Sequence, residues 1–154
     1  MDFDSYFIAI ADAVRSKSKD LSSKVGAVIV GPERQIVSTG FNGFPRGIDE
    51  KDKSRWDREI KYLYIEHAER NAIYNAARHG IPLRGCSIYL VGFGPPTVPC
   101  TECAKAIIQS GIVRVVGFAA REASRFWVED LLFASSLLTE AGIIVDEWRE
   151  HRDA

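Results

Sequence analysis

Three short runs with almost no polar residue set the architecture: Val25–Val30, Ser87–Val91 and Ile112–Phe118. Each is too short for a buried helix, each is rich in Val, Ile or Leu, and each has a glycine at one end, so each predicts a buried strand. Helical period fills the spaces between them. Phe7, Ile8, Ala11 and Val14 recur on one face of Asp4–Lys17. His67–His79 is closed by Gly80 and Pro82, Thr101–Ser110 by Gly111, and Ser124–Ala141 by Gly142. Gly31-Pro32-Glu33-Arg34 is a turn that sends Gln35–Thr39 back as a hairpin partner, and Ile143–Val145 is a last strand. The order α-β-β-α-β-α-β-α-β favours parallel pairing of the later strands, with one antiparallel pair from the hairpin. The expected class is α/β, a three-layer α/β/α sandwich around a mixed five-stranded sheet. No repeat or linker divides the 154 residues, so residues 1–154 read as a single domain.

Two stretches break the pattern. From Phe41 to Lys61 it dissolves into Asn42-Gly43-Phe44-Pro45-Arg46-Gly47 and mixed charges, a long loop in which Trp56 signals that part packs. Gly92-Phe93-Gly94-Pro95-Pro96 forces a second loop, continuing to Val98. The helix over Ser124–Ala141 is apolar nearly all round, with Trp127, Leu131 and Leu138 on one side and Phe126, Leu132, Phe133 and Leu137 on the other. Such a helix needs cover on two sides, from the sheet and from a second subunit, so a homo-oligomer is expected.

Twenty Lys+Arg against 21 Asp+Glu leave a net charge of −1, which gives no basic field for long nucleic acid and points to a small-molecule substrate. No apolar run approaches the ~20 residues that span a bilayer, so no membrane partner is expected. Acids in Met1-Asp2-Phe3-Asp4 stand where a signal peptide carries positive charge, so the expected location is cytoplasmic.

Of the three cysteines, Cys100 and Cys103 form Cys-x-x-Cys, whereas Cys86 precedes an apolar run and reads as a small buried residue. Upstream lies His67-Ala68-Glu69. His67 falls at the start of one predicted helix, and Cys100 and Cys103 flank the first turn of another. Two thiolates and an imidazole suit zinc, and three protein ligands leave a tetrahedral corner open, as in catalytic sites. Helix N-termini favour the net negative charge of such a centre by about 0.3–1 kcal/mol each and hold cysteines as thiolates. Glu69 is rotated about 200° from His67 on the helix, which suits a proton carrier beside the metal better than a second ligand. A redox dithiol and a structural zinc site are the competing readings.

His67-Ala68-Glu69 with Pro99-Cys100-x-x-Cys103 resembles the signature of the zinc-dependent cytidine/deoxycytidylate deaminase superfamily. Val25–Val30, Gly40–Gly47, His67–Ile73 and Pro99–Ile108 together look most like the dCMP deaminases. The resemblance implies a cytidine deaminase-like fold, a Zn²⁺ cofactor held by His67, Cys100 and Cys103, and Glu69 as the catalytic proton shuttle. It further implies substrate contacts from Asn42, Phe44, Arg46, Ala68 and Pro99. The implied reaction is hydrolytic deamination of a cytosine nucleotide, dCMP to dUMP plus ammonia. The alternatives are another amino-heterocycle (a free base, a modified pyrimidine or a pterin-like ring), or a zinc-stabilised binding module without turnover. Asn42 reads equally as a turn residue before Gly43, and Arg46, Lys24 and Arg121 as solvated cations or phosphate ligands. Two departures from the dCMP deaminase pattern reshape the pocket rim. One is the inserted 92–98 loop; the other is Phe118-Ala119-Ala120-Arg121 where relatives often place tyrosines.

Overall fold

A computed structural model describes residues 1–94 and 97–150. Its elements are α1 (Phe3–Arg15), β1 (Gly26–Val30), β2 (Ile36–Phe41), a 3₁₀ turn (Lys53–Trp56), α2 (Arg58–Tyr64), α3 (Ala68–Arg78), β3 (Ser87–Gly94), α4 (Thr101–Ser110), β4 (Arg114–Glu122), α5 (Arg125–Glu140) and β5 (Ile144–Glu147). The strands form one sheet in the order β2-β1-β3-β4-β5. β3–β4 and β4–β5 are parallel, as the alternation of strands and helices requires. β1 is antiparallel to β2 and also to β3, so the sheet has two antiparallel pairs rather than the single one expected. The α3 crossover carries the chain past β1, and β2, β3, β4 and β5 all run the same way with β1 alone reversed.

Alternation along β1 divides the core. Val28 and Val30 face α1, where Phe7, Ile8 and Ala11 pack with Tyr89, Val91 and Val116. Ala27 and Ile29 face the other layer, where Ala68, Ala72 and Ala76 of α3, Ala104 and Ile107 of α4, and Ala134 and Leu138 of α5 meet Ile88, Leu90 and Val115. Period 2 in the strands meets period 3.6 in the helices, and three layers result. Cys86 joins the second cluster as a small core residue.

Three departures have identifiable causes. The 41–61 stretch holds the 3₁₀ turn and the start of α2; the one buried residue of α2 is Lys61, so no apolar stripe marks it. Trp56 does pack, stacked on Phe44 at 4.3 Å. Gly92-Phe93-Gly94 extends β3 instead of looping, because β4 continues alongside it. Pro95 and Pro96 of the expected loop lie outside the described residues. β1 follows β3 only to Val91 and β5 follows β4 only to Gly117, so residues 92–94 and 119–122 form a two-stranded arm beyond the sheet.

A polar lock ties α1 to the sheet. Arg114 donates to Asp4 at 2.7 Å and to Asp146 at 2.8 Å, and the Tyr89 hydroxyl donates to Asp4 at 2.6 Å. Arg114 holds the Asp4 carboxyl below its ordinary range, and burial with the Asp4 bond pushes the Tyr89 phenol up. A depressed carboxylate contributes stability above its unfolded pKa of about 4, and that contribution fades as pH falls through the folded value. Asp4→Ala is expected to cost about 1–2 kcal/mol in urea unfolding at pH 7, with the gap from wild type closing below about pH 4.

Candidate active site

α3 is set down on β2 with unusually little space. Its inward stripe is Ala68, Ala72 and Ala76, all fully buried. A Cβ on Gly40 of β2 would lie 2.4 Å from the Ala68 carbonyl and from the Ala72 amide, so only glycine permits this approach. Ser38 donates to the Ala72 carbonyl, Asn71 to the Phe41 carbonyl and Asn75 to the Thr39 carbonyl, fixing the helix along the strand. Gly43 and Glu66 exchange backbone bonds just before the helix. The Glu66 carboxylate accepts from the His67 amide at 3.0 Å and from Arg70 at 2.6 Å. His67 is therefore delivered as the N-cap of α3 with its side chain unused as a cap.

Cys100 occupies the same position on α4, also with no side-chain capping bond. The start of α4 is capped from α5 instead: the Thr101 amide donates to Asp130 at 2.9 Å. The approach segment lies over β4, where a Cβ on Gly117 would come within 2.2 Å of the Thr97 carbonyl. Two helix N-termini thus present side chains to one another rather than to their own amides.

The resulting geometry is tight. Cys100 Sγ lies 3.3 Å and Cys103 Sγ 3.5 Å from His67 Nδ1, and the three donor atoms are all within 4.8 Å of each other. Zinc bonds of about 2.3 Å to sulfur and about 2.0–2.1 Å to nitrogen, at tetrahedral angles, place N and S roughly 3.5–3.6 Å apart. The residues fit that ion. Among the described residues the donor group consists of these three, and Cys86 is elsewhere in the core. The hydrogen bond from Cys103 pulls the Cys100 thiol down to about 4, with His67 helping and burial opposing. Cys103 goes the other way, raised by its bond to Cys100 and by burial. Burial would lower His67, but the Cys100 sulfur more than offsets it and raises the imidazole. Burial raises the Glu69 carboxyl, which lies against Cys103 at only 4% exposure.

A cavity opens over the donors. Ala68, Glu69 and Pro99 line it, with Leu90, Val98, Phe93, Trp127 and Leu131 making most of its wall apolar. Trp127 meets the His67 ring edge-on at 6.2 Å between centroids. Asn42 also lines it, but its amide accepts from the Val25 N–H at 2.8 Å and donates to the Ser23 carbonyl at 2.6 Å. Phe44 and Arg46 do not line it. Phe44 is stacked between Trp56 and Tyr64, and Arg46 donates to Asn75 at 2.7 Å. Aromatic stacking and the bond to Asn75 hold the two residues off the cavity.

Several site residues carried no sequence signal. Lys61 and Asp20 form an ion pair at 3.0 Å with side chains 8% and 3% exposed, on the cavity wall. Burial pushes Asp20 up, but bonds from the Ser22 and Ser23 amides and from Lys61 outweigh it and hold the carboxyl down. This pair fixes the segment that carries Ser22 and Ser23. Trp127, Phe93 and Asp130 were legible only as helix or loop residues.

Comparison with known proteins agrees with the geometry. Residues 1–119 match the family described as the cytidine and deoxycytidylate deaminase zinc-binding region. The chain belongs to that family. Human deoxycytidylate deaminase is 42% identical to this deaminase-family chain over 122 residues, covering 75% of the chain and 64% of the relative. The chain therefore spans just under two thirds of that relative's length. An uncharacterized deaminase from the luxG 3′ region of Aliivibrio fischeri is 41% identical over 142 residues, 90% of this chain and 88% of the relative. The crystal structure of dCMP deaminase from the cyanophage S-TIM5, in complex with dCMP and dUMP, superposes with a TM-score of 0.74 at 22% identity. It covers 96% of this chain and 99% of that one, and it shows the shared fold.

Breaking one partner of a buried pair leaves the other charge uncompensated, which costs about 3–5 kcal/mol. Lys61→Met is expected to lose stability in that range by chemical unfolding, whereas the double variant with Asp20→Asn recovers part of it.

Proposed function

We propose that the chain deaminates a cytosine nucleotide, converting dCMP and water to dUMP and ammonia, and that residues 1–154 act as one deaminase domain. The observation that carries this reading is a buried carboxylate, Glu69, beside a group of three donors that could hold a metal ion, at a largely apolar cavity. Relatives named deoxycytidylate deaminase at 42–43% identity support the choice of base and phosphate.

His67, Cys100 and Cys103 would hold zinc, which when bound acts as a Lewis acid and lowers the pKa of water toward neutrality. The remaining steps belong to this chain. The apolar walls from Leu90, Val98 and Trp127 exclude bulk water and admit a flat ring. Glu69, raised by burial, is poised to take a proton from water as the water oxygen bonds to the amine-bearing carbon. It delivers that proton to the ring nitrogen. It then takes the second proton, from the hydroxyl now bonded to that carbon, and gives it to the exocyclic amine as the carbon–nitrogen bond breaks, so ammonia leaves and the ring keeps the oxygen as a carbonyl. Ala68 and Pro99 present backbone at the cavity and shape the slot for the ring. Asn42 ties the cavity wall to the Ser23–Val25 segment.

The outward face of α5 supports assembly with a second copy. Phe126, Leu132 and Phe133 are 70%, 58% and 56% exposed, while Leu131, Ala134 and Leu138 are buried beneath them. Among the described residues no helix is long and apolar enough to cross a membrane.

Glu69→Gln is expected to lower kcat for dCMP by about 10²–10⁴-fold while zinc content stays at wild-type level. Retained turnover in that variant, or a wild type that deaminates a phosphate-free base and ignores dCMP, overturns the reading. Light scattering of the purified chain checks the assembly, with a mass above 17.2 kDa expected.

A further inference from the structure

Next to the catalytic slot lies a second cavity of about 450 Å³ that shares Ser23, Lys61, Tyr62, Phe93 and Trp127 with it. Its other lining includes Arg58 and Arg121 and, among the described residues, no carboxylate. Lys61 is neutralised by Asp20, whereas Arg58 and Arg121 make no ion pair among the described residues. Arg121 has one hydrogen bond, to the Ser22 carbonyl, which leaves most of its guanidinium donors free. The cavity therefore holds an uncompensated charge of about +2 between aromatic walls, and its chemistry asks for a compact dianion.

The two-stranded arm explains how Arg121 comes to be there. Gly92 pairs with Ala119 and Phe93 with Arg121, so Ala120 is an extra residue opposite no partner. A bulge of this kind re-aims the side chains that follow it. Here Phe93 and Arg121 become direct neighbours and both line the outer cavity, Phe93 reaching the inner slot as well. Arg46, the other arginine weighed as a phosphate ligand, is held by Asn75 off both cavities.

Resting on the proposed deamination of a cytosine nucleotide, we infer that the bulged arm is a specificity device of this chain, in which Arg121 and Arg58 grip the phosphate monoester of the substrate. Phe93 and Trp127 sit where the two cavities join, so they line the passage between ring and phosphate. The phosphate takes no part in the bond changes; its binding orients the ring over Glu69 and selects nucleotide over nucleoside.

The test compares kcat/KM for dCMP and for deoxycytidine in wild type, Arg121→Gln, Arg58→Gln and Arg121→Lys, with calorimetry of dUMP and deoxyuridine as a binding readout free of turnover. Each Gln variant is expected to lower the dCMP-to-deoxycytidine ratio by about ten- to hundredfold, mainly through KM, and to weaken dUMP by a similar factor; Arg121→Lys recovers part of the loss. Inorganic phosphate competes with dCMP in wild type and less in the variants. An unchanged ratio overturns the inference, as does an equal loss for both substrates, which marks a structural role. Variants that keep wild-type KM for dCMP but lose a response to added nucleoside triphosphate place a regulatory anion there instead and also overturn it. A wild type that deaminates deoxycytidine and not dCMP fails differently, because then the proposed substrate is wrong.

Discussion

Two helices begin at the same point in space, and the protein's chemistry depends on that meeting. α3 and α4 each start with a residue that forgoes the usual capping role, His67 in one case and Cys100 in the other. Ordinary N-caps spend a side-chain oxygen on the helix's own amides. Here the imidazole and the sulfurs are free to face each other at 3.3 and 3.5 Å. The amide ends of the helices favour negative charge, so the terminus that positions Cys100 also favours its thiolate. Asp130, reaching from α5, supplies the cap that Cys100 does not.

The rest of the fold keeps this meeting point rigid. Gly40 and the alanine stripe let α3 lie close on β2, and Gly117 lets the approach to Cys100 lie on β4. Neither contact tolerates a side chain. Loss of a methylene's worth of fit would move donors by tenths of an ångström, which matters when metal bonds are fixed to within about 0.2 Å. The buried Lys61–Asp20 pair does the same work on the cavity wall. It anchors a segment with few apolar residues that would otherwise have little to hold it against the cavity.

Local chemistry decided what was legible in the sequence. α3 and α4 were readable nearly to the residue, because glycine ends both and the metal motif begins both. The donor triad was readable for the same reason, since its spacing follows from where helices start. α2 was hidden because its inward residue is a lysine whose partner stands 41 positions earlier, and no periodicity records such a pairing. Gly92-Phe93-Gly94 looked like a loop by composition, yet a neighbouring strand supplied the missing hydrogen bonds. β1 was expected to pair once and pairs twice, since crossover length says nothing about which strand is skipped. Phe44 and Arg46 were placed at the substrate by resemblance, but stacking on Trp56 and a bond to Asn75 draw them elsewhere.

The central claim is that an imidazole and two sulfurs hold one metal ion with a corner left for water. Zinc-edge X-ray absorption on the purified, reduced chain is the measurement to make. About one zinc per chain is expected, with two sulfur neighbours at about 2.3 Å and two nitrogen or oxygen neighbours at about 2.0–2.1 Å. A third sulfur in the coordination shell, or protein that folds and carries no tightly held zinc, would contradict it.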